Sequence, residues 1–425
     1  MLGHRLPVLA ALAGSLLSAT VSAFSPGFPY GSQKVRGVNL GGWLVLEPWI
    51  TPSLFDNTGD SRIVDEWTFG QYQSRTTAAN TLKQHWDTWI TASDFAQIAA
   101  AGLNHVRIPI GYWAFEVGAG EPYITGQLPY LQNAVAWAGT YGLKVIIDLH
   151  GNRISGVPGS QNGFDNSGQK MSYPLWHTNN TNVQRSNNII KTIANMYKDN
   201  PNVVPIIAPL NEPAGFDGSD VLSVVRQYWY DSYGNIRYPY GSDRESNTVE
   251  LIHDAFQPFS YWSGFMPSPS FQGVMMDTHQ YQVFSVGENQ MSQQQHIQTA
   301  CGKRSMLSSF SLWVVVGEWT PAATDCAKYL NGRGVGSRYD GSYPGSSRIG
   351  SCTGQTGKGS SFSSSYKTWL RQFWEAQVIS YEQGDGWIQW TWKTEIADEW
   401  AYQAGLQYGW IPSNPTALQY PNICG

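Results

Sequence analysis

Short apolar runs alternate with longer amphipathic stretches along almost the whole chain of 425 residues. The short runs are rich in β-branched residues and lack strict alternation, which is typical of strands that are buried on both faces. Eight runs are predicted to be strands: residues 35–41, 105–111, 144–150, 203–213, 249–256, 273–281, 312–319 and 386–393. Helices are predicted between several of them, for example over 85–102, 128–142 and 364–384.

Eight buried strands alternating with helices predict an α/β fold, a single (β/α)8 TIM barrel with long loops at the C-terminal ends of the strands. A doubly wound open sheet is the alternative, and it would need a glycine-rich phosphate-binding turn. The turn GVNLGGW does not match G-x-G-x-x-G, so the barrel is favoured. We find no linker that divides the chain, and one catalytic domain is expected over residues 24–425.

Residues 1–23 are predicted to be a secretory signal peptide, which implies an extracellular or cell-wall location. A short positive region leads into an apolar run that ends in the small-x-small cleavage signal Val21-Ser22-Ala23. This run is too short to be a membrane anchor, and no other stretch long enough to span a bilayer follows it. We therefore expect no membrane span.

A secreted chain with an even number of cysteines is expected to form disulfides. The four cysteines allow three pairings, and their spacing contains no C-x-x-C typical of a zinc site: Cys301, Cys326, Cys352 and Cys424. Asn179, in the sequon Asn179-Asn180-Thr181, is a candidate glycosylation site.

The composition favours a carbohydrate ligand. Aromatic residues make up 14% of the chain and charged residues 13%, about half the usual share of charge. Exposed aromatic rings stack on sugars and on bases alike. The formal net charge of −5 argues against nucleic acid, because a polyanion normally requires a basic surface.

Polar residues gather where the predicted strands end. Because these ends share one face of a barrel, their side chains are expected to meet there. The residues concerned are Arg107, His150, Asn211, Glu212, His253, Asp254, His279, Tyr281, Glu318 and Trp392.

Glu212 and Glu318 are the candidate catalytic pair. Each ends an apolar run, in APLNEP at the fourth strand and VVVGEW at the seventh, and these strands lie on opposite sides of a barrel mouth. Two facing carboxylates suit glycoside hydrolysis, in which one is protonated and the other ionised. Competing signatures such as H-E-x-x-H and G-x-S-x-G are absent from the sequence. A metal held by His150, His279 and a glutamate is the weaker alternative, and we expect no metal or cofactor.

The chain carries, in this order, the motifs VRGVNLGGWLVLEPWITPSLF, HVRIPIGYWAF, DLHG, PGSQNGFDNSG, LNEP, HDAF, HQYQVF, GEW, LNGRGVGSRYDG and WTWKTE. This ordered set resembles the fungal exo-β-1,3-glucanases (glucan 1,3-β-glucosidases) of glycoside hydrolase family 5. The resemblance covers the mature chain. One departure is the segment NRISGV (152–157), which lengthens the loop after the third strand.

The resemblance implies a role for each site residue. Glu212 would be the general acid/base and Glu318 the nucleophile, with Arg107 keeping the nucleophile ionised. Asn211 would hold the sugar 2-hydroxyl. His279 and Tyr281 would orient the two carboxyls, and His150 and Trp392 would line the innermost subsite. Glu47 and Asp165 would bind sugar hydroxyls, and Phe164 and Phe284 would clamp the next glucose.

The resemblance also implies the disulfide pairing Cys301–Cys424 and Cys326–Cys352.

The function expected from this resemblance is a secreted, retaining exo-glucosidase that releases glucose from the non-reducing ends of β-1,3-glucan. It would act as a monomer in wall remodelling or glucan degradation. An endo-acting or β-1,6-specific glucanase of the same fold remains an alternative. So does a non-catalytic glucan-binding wall protein, although the intact Asn211, Glu212 and Glu318 argue against it.

Overall fold

A computed structural model describes residues 24–151, 176–242 and 244–425. Eight parallel strands form a closed barrel in which each pairs with the next and the last pairs with the first. The predicted (β/α)8 barrel is therefore confirmed. The strands are β1 (Val35–Asn39), β2 (His105–Gly111), β3 (Lys144–Gly151), β4 (Ile206–Ala208), β5 (Val249–His253), β6 (Val274–Gln280), β7 (Trp313–Trp319) and β8 (Gly386–Gln389).

Helices lie between the strands. The β1–β2 connection holds α1 (Pro52–Asp56), α2 (Glu66–Gln71), α3 (Arg75–Thr88) and α4 (Ala92–Ala100). Helices α5 (Leu128–Tyr141), α6 (Asn180–Tyr197) and α7 (Ser219–Arg237) follow β2, β3 and β4. The remaining helices are α8 (Val286–Asn289), α9 (Gln293–Cys301) and α10 (Arg304–Ser309) before β7, α11 (Ser364–Tyr381) before β8, and α12 (Tyr402–Tyr408) after it.

The helix predicted over residues 85–102 is in fact two helices, α3 and α4. Thr91 adopts an extended backbone and caps α4, and its N–H donates to the Asp94 carboxylate at 2.9 Å. Such a capping box satisfies backbone groups at a new helix start. The capping of α4 by Thr91 and Asp94 thus ends one helix and begins another where the apolar pattern alone predicts a single helix.

Every second strand residue points into the barrel, and these residues change character along the strand. Near the strand starts they are apolar, and Phe28 and Tyr30 of the N-terminal segment pack against them. Towards the strand ends the buried residues become polar. The apolar cluster therefore supports a polar layer at the barrel mouth. Its strand residues are Val35, Ile146, Ile206, Ala208, Val249, Leu251, Met275, Val315 and Ile388.

A bulge in β7 changes its register against β6. Thr278 is paired with Val316, but the next residue, His279, is paired with Glu318. The extra residue is Gly317, where a Cβ would lie 2.2 Å and 2.5 Å from the two carboxylate oxygens of Asp277. Glycine is therefore required at this position, and the bulge brings Glu318 level with His279.

Both disulfides follow the pairing that the resemblance implied. Cys301 at the end of α9 bonds Cys424 near the chain terminus, and Cys326 bonds Cys352 within the β7–α11 loop. All four cysteines of the sequence are thereby used. Within the described ranges, no helix is both long enough and apolar enough to cross a membrane. The predicted signal peptide, residues 1–23, lies outside those ranges.

We predict that removing the Cys301–Cys424 bond destabilises the protein more than removing Cys326–Cys352. The bonds join residues 123 and 26 positions apart, and a longer loop restricts the unfolded chain more. Each paired Cys→Ser variant is expected to lose roughly 2–5 kcal/mol of unfolding free energy, with a difference between them of about 1 kcal/mol. Urea unfolding of both variants measures this ranking, and the reverse order would contradict it.

Candidate active site

Arg107 occupies the centre of the barrel mouth and is 1% exposed. Its Nη1 donates to Glu318 Oε1 at 2.6 Å and to Asn39 Oδ1 at 2.9 Å. Its Nη2 donates to Asn211 Oδ1 at 2.8 Å and lies 3.1 Å from Asp148 Oδ2. Burial alone would lower the pKa of Arg107, but the neighbouring carboxylates raise it above its ordinary value. One buried cation thus joins the ends of five strands.

Glu318, on β7, accepts hydrogen bonds at both oxygens. Arg107 binds Oε1, and the hydroxyl of Tyr281 donates to Oε2 at 2.9 Å. Burial raises the pKa of Tyr281 well above its ordinary value, and the negative charge of Glu318 raises it further. Tyr281 therefore stays a hydrogen-bond donor. A cation and a hydroxyl donor together favour an ionised carboxylate at position 318.

Glu212 faces the same space from the end of β4. Its Oε1 lies 2.6 Å from Nδ1 of His279, and the same nitrogen lies 3.5 Å from Glu318 Oε2. The backbone of Glu212 has φ 42°, in the left-handed region that residues other than glycine rarely adopt. Such strain costs on the order of 1–3 kcal/mol and is concentrated at functional sites. The tight turn is what presents the carboxylate to the mouth.

Two histidines at the site have opposite electrostatic environments. The rings of His253 and His279 are 4.4 Å apart. Burial lowers the pKa of His253 well below its ordinary value, and its Nδ1 accepts the N–H of Ala255 at 3.0 Å. Burial would also lower the pKa of His279, but the charges of Glu318 and Asp277 raise it well above the ordinary value.

Glu212, His253 and His279 also offer ligand atoms within 4.8 Å of one another, a spacing that a metal ion can use. However, His279 Nδ1 and Glu212 Oε1 are already in direct contact at 2.6 Å. Two ligands of a tetrahedral zinc with bonds of about 2.0–2.1 Å lie roughly 3.3 Å apart. The raised pKa of His279 also favours a protonated ring, which cannot ligate a metal. The donor set therefore suits proton exchange better than metal binding.

Aromatic rings and Glu47 form one wall of the mouth. Glu47 Oε2 accepts the indole N–H of Trp49 at 3.0 Å, and Trp49 packs against Trp400 with ring centroids 4.8 Å apart. Trp400 in turn contacts Tyr281 and Phe284 at 5.9 Å and 6.4 Å. Phe284 is 39% exposed, which places a free aromatic face at the rim.

The placement of Trp392 in the innermost subsite is wrong. Its indole N–H donates to Asp94 of α4 at 2.9 Å and its ring stacks on Tyr402, so it faces the helices. Trp390 is the tryptophan at the mouth, where it stacks on His150 with ring centroids 5.6 Å apart. The reason is that β8 ends at Gln389, so strand alternation does not extend to Trp392.

Other buried polar residues of the site did not emerge from the sequence reasoning. Asp148 accepts from His150 Nδ1 at 2.6 Å, and Asp277 Oδ2 lies 3.4 Å from His279 Nε2. Both pairs have the spacing D-x-H within a strand, which places the two side chains on one face. This repeated D-x-H spacing on β3 and β6 could have predicted that Asp148 and Asp277 belong to the site. Asn39 is a polar residue at the end of β1, so its position at a strand end could have predicted it in the same way as the other site residues.

Phe164 and Asp165 lie outside the described residues, as does the segment 152–157. Their expected contacts with glucose therefore remain predictions. The candidate glycan acceptor Asn179 is the N-cap of α6, where its side-chain oxygen accepts the N–H of Thr181 at 2.9 Å.

A (β/α)8 barrel whose mouth holds two facing glutamates, a buried arginine and an aromatic wall defines a class of protein, the glycoside hydrolases. A family model described as Cellulase (glycosyl hydrolase family 5) matches residues 70–331. The chain belongs to glycoside hydrolase family 5, as its motifs led us to expect.

Near full-length relatives share over two fifths of the sequence. The glucan 1,3-beta-glucosidase of Blumeria graminis is 45% identical, covering 99% of this chain and 96% of the relative. The probable glucan 1,3-beta-glucosidase A of Aspergillus niger is also 45% identical, covering 98% of both. Among solved structures, the rutinosidase from Aspergillus niger superposes with TM-score 0.69 at 20% identity, covering 90% of this chain and 99% of that one, which supports the fold.

Glu66, beneath the Glu47 wall, generates a prediction about stability. Its carboxylate accepts the Leu46 N–H and the Trp113 indole N–H at 2.9 Å and 2.8 Å. Burial raises its pKa from 4.5 to about 8. Its contribution to stability is therefore complete below about pH 4.5 and is lost as the pH rises through 8.

Relative to Glu66→Gln, the wild type is expected to lose up to about 1.4 kcal/mol of unfolding free energy per pH unit across this interval. Urea unfolding at several pH values measures the difference. Glu116→Gln, at a side chain that is 61% exposed, serves as the control and should show the wild-type pH dependence. A constant difference between wild type and Glu66→Gln would contradict the assignment.

Proposed function

We propose that this protein is a retaining exo-β-1,3-glucosidase in which Glu212 is the general acid/base and Glu318 the nucleophile. The observation that supports this most directly is the pair of carboxylates bridged by one nitrogen of His279. The names of its near full-length relatives support the substrate class.

The spacing of the carboxylates supports a retaining mechanism. His279 Nδ1 lies 2.6 Å from Glu212 Oε1 and 3.5 Å from Glu318 Oε2. Because both contacts share this nitrogen, the two carboxylate oxygens can be no more than about 6 Å apart. Retaining enzymes have carboxyls about 5–5.5 Å apart, whereas inverting enzymes need about 6.5–9.5 Å to admit a water. The gap suits direct attack on the sugar by a carboxylate.

The different surroundings of the two glutamates support the division of roles. Glu318 is held by Arg107 and Tyr281, which stabilise the anion that attacks the anomeric carbon. Glu212 contacts Nδ1 of His279 and would lie across the mouth on the side of the departing oxygen. It would protonate that oxygen and later deprotonate the water that hydrolyses the glucosyl–Glu318 ester.

Asn211 and the aromatic wall would position the sugar. Arg107 engages Asn211 Oδ1, which directs the Asn211 amide N–H groups elsewhere, and a sugar 2-hydroxyl is the proposed acceptor. His150 and Glu47 would bind further hydroxyls of the same glucose unit. Phe284 would stack on the next unit at the rim, where its exposed face is available.

We further propose that the enzyme acts outside the cell on wall or nutrient glucan. The predicted signal peptide supports secretion, and so do the two disulfides, which persist in oxidising compartments.

The products distinguish this proposal from its alternatives. Laminarin is expected to release glucose alone from the first time points, and that glucose should be the β-anomer in proton NMR. An exo-acting enzyme removes single units, and two successive inversions retain the configuration. A ladder of oligosaccharides would instead indicate endo-action, α-glucose an inverting enzyme, and intact laminarin a binding protein.

Substitution of each glutamate tests the roles. Glu318→Gln is expected to lose nearly all activity on every β-glucoside, because no ester can form. Glu212→Gln is expected to lose roughly 10²–10⁴-fold on laminari-oligosaccharides but to keep the first step with 2,4-dinitrophenyl β-glucoside, whose leaving group needs no proton. Added azide should then accelerate turnover and yield β-glucosyl azide.

Glu250→Gln is the matched control for these two variants. Glu250 is a fully buried carboxylate of β5 that bonds the Ser232 hydroxyl of α7, away from the mouth. It should retain wild-type activity on both substrates. β-Glucosyl azide from Glu318→Gln, or failure of azide to rescue Glu212→Gln, would contradict the proposed roles.

A further inference from the structure

Asp277 lies behind the catalytic pair and is 2% exposed. Its Oδ1 accepts the N–H of Gly317 at 2.8 Å, the residue immediately before Glu318. Its Oδ2 lies 3.4 Å from Nε2 of His279. The glycine at the β7 bulge allows this carboxylate to approach, because any Cβ at position 317 would overlap it.

His279 is therefore placed between two carboxylates. Nδ1 lies 2.6 Å from Glu212 Oε1. On the other side of the ring, Nε2 is buried, and within the described part of the chain it lies 3.4 Å from Asp277 Oδ2, a charge contact longer than an ordinary hydrogen bond. A neutral imidazole has one N–H and can donate to only one side. The imidazolium form has two, and it is the only form that presents an N–H to both carboxylates.

We propose that Asp277 is a positioning residue that keeps His279 doubly protonated and thereby keeps the acid proton of Glu212 off Oε1. If His279 were neutral with its proton on Nε2, Nδ1 would accept a proton from Glu212, and the acid would point at the histidine instead of the substrate. With Nδ1 already protonated, the proton of Glu212 resides on Oε2. The inference rests on the proposed function in taking Glu212 as the acid/base.

The charged and titratable groups around His279 favour the cation. Negative charge approaches from β6, β7 and the end of β4. Burial lowers the pKa of the adjacent His253, and its Nδ1 already accepts a backbone N–H, so that ring is neutral. The raised pKa of His279 agrees with this arrangement. The groups concerned are Glu212, His253, Asp254, Asp277 and Glu318, with Arg107 beyond His253.

In the proposed reaction His279 keeps its charge, and every proton transfer is made by Glu212. In the first step Glu212 Oε2 gives its proton to the glycosidic oxygen as the bond to the anomeric carbon breaks and the bond to Glu318 forms. Glu212 becomes a carboxylate, which the N–H of His279 stabilises. In the second step Glu212 takes a proton from the attacking water, and Glu318 leaves as a carboxylate.

The first experiment measures the protonation state of His279 directly in the wild-type protein. Histidine-selective ¹⁵N labelling, with His279 assigned by the signals that disappear in His279→Asn, is expected to show both ring nitrogens protonated from pH 5 to pH 8. A neutral or ordinarily titrating ring in that range would overturn the proposal. Because no change at Asp277 is needed, this result stands even if variants at Asp277 fail to fold.

The second experiment uses Asp277→Asn, with Glu250→Gln as the matched buried control. The variant is expected to show a neutral His279 within pH 5–8 and to lose about 10- to 100-fold in kcat/KM on laminari-oligosaccharides, part of the general-acid contribution. With 2,4-dinitrophenyl β-glucoside the loss should be less than about threefold, because that leaving group needs no acid. A charged His279 in the variant, or equal losses on both substrates, would overturn the role of Asp277. Neither result would affect the azide test of Glu212.

Discussion

The rest of the site depends on the contacts that the buried guanidinium of Arg107 makes with its polar neighbours. Removing a full charge from water costs several kcal/mol, and the attraction of close carboxylates offsets this only when the geometry is good. Arg107 meets that condition with hydrogen bonds to Glu318, Asn39 and Asn211 and a close contact with Asp148. Removing one charged partner from such a buried group lowers the free energy of unfolding by about 3–5 kcal/mol. Arg107 and its partners therefore stabilise the site only as a complete set.

The architecture of the barrel makes this polar layer possible. Apolar side chains near the strand starts fill the interior, so the polar side chains meet only towards the strand ends, where a mouth can open to substrate. Local irregularities then adjust the carboxylates: the Gly317 bulge brings Glu318 level with His279, and the left-handed turn at Glu212 directs the other carboxylate across the mouth. Both are departures from regular strand geometry at the site that would use them.

Much of this arrangement could be predicted from the sequence because it follows from periodicity. Eight buried runs gave the barrel, and the strand-end rule brought Arg107, Asn211, Glu212, His279 and Glu318 to one face. The rule failed for Trp392 because β8 ends at Gln389, before the tryptophan in question. It also could not divide residues 85–102 into two helices, since the capping of α4 by Thr91 and Asp94 competes with an uninterrupted apolar pattern. Contacts between distant strands, such as Arg107 with Asp148, leave no local periodic signal.

The two histidines explain why residue identity alone does not define a catalytic group. His253 and His279 end neighbouring strands, are both buried and contact each other, so a sequence presents them as equivalent. Their partners separate them: a backbone N–H occupies a nitrogen of His253, which favours the neutral ring, whereas carboxylates on either side of His279 favour the cation. Environments that drive like groups to opposite charge states are how an active site divides the work of acid and base. Under the roles proposed for this site, that division would be set by the Asp277 carboxylate behind His279 and the backbone N–H on His253, which only the folded barrel brings together.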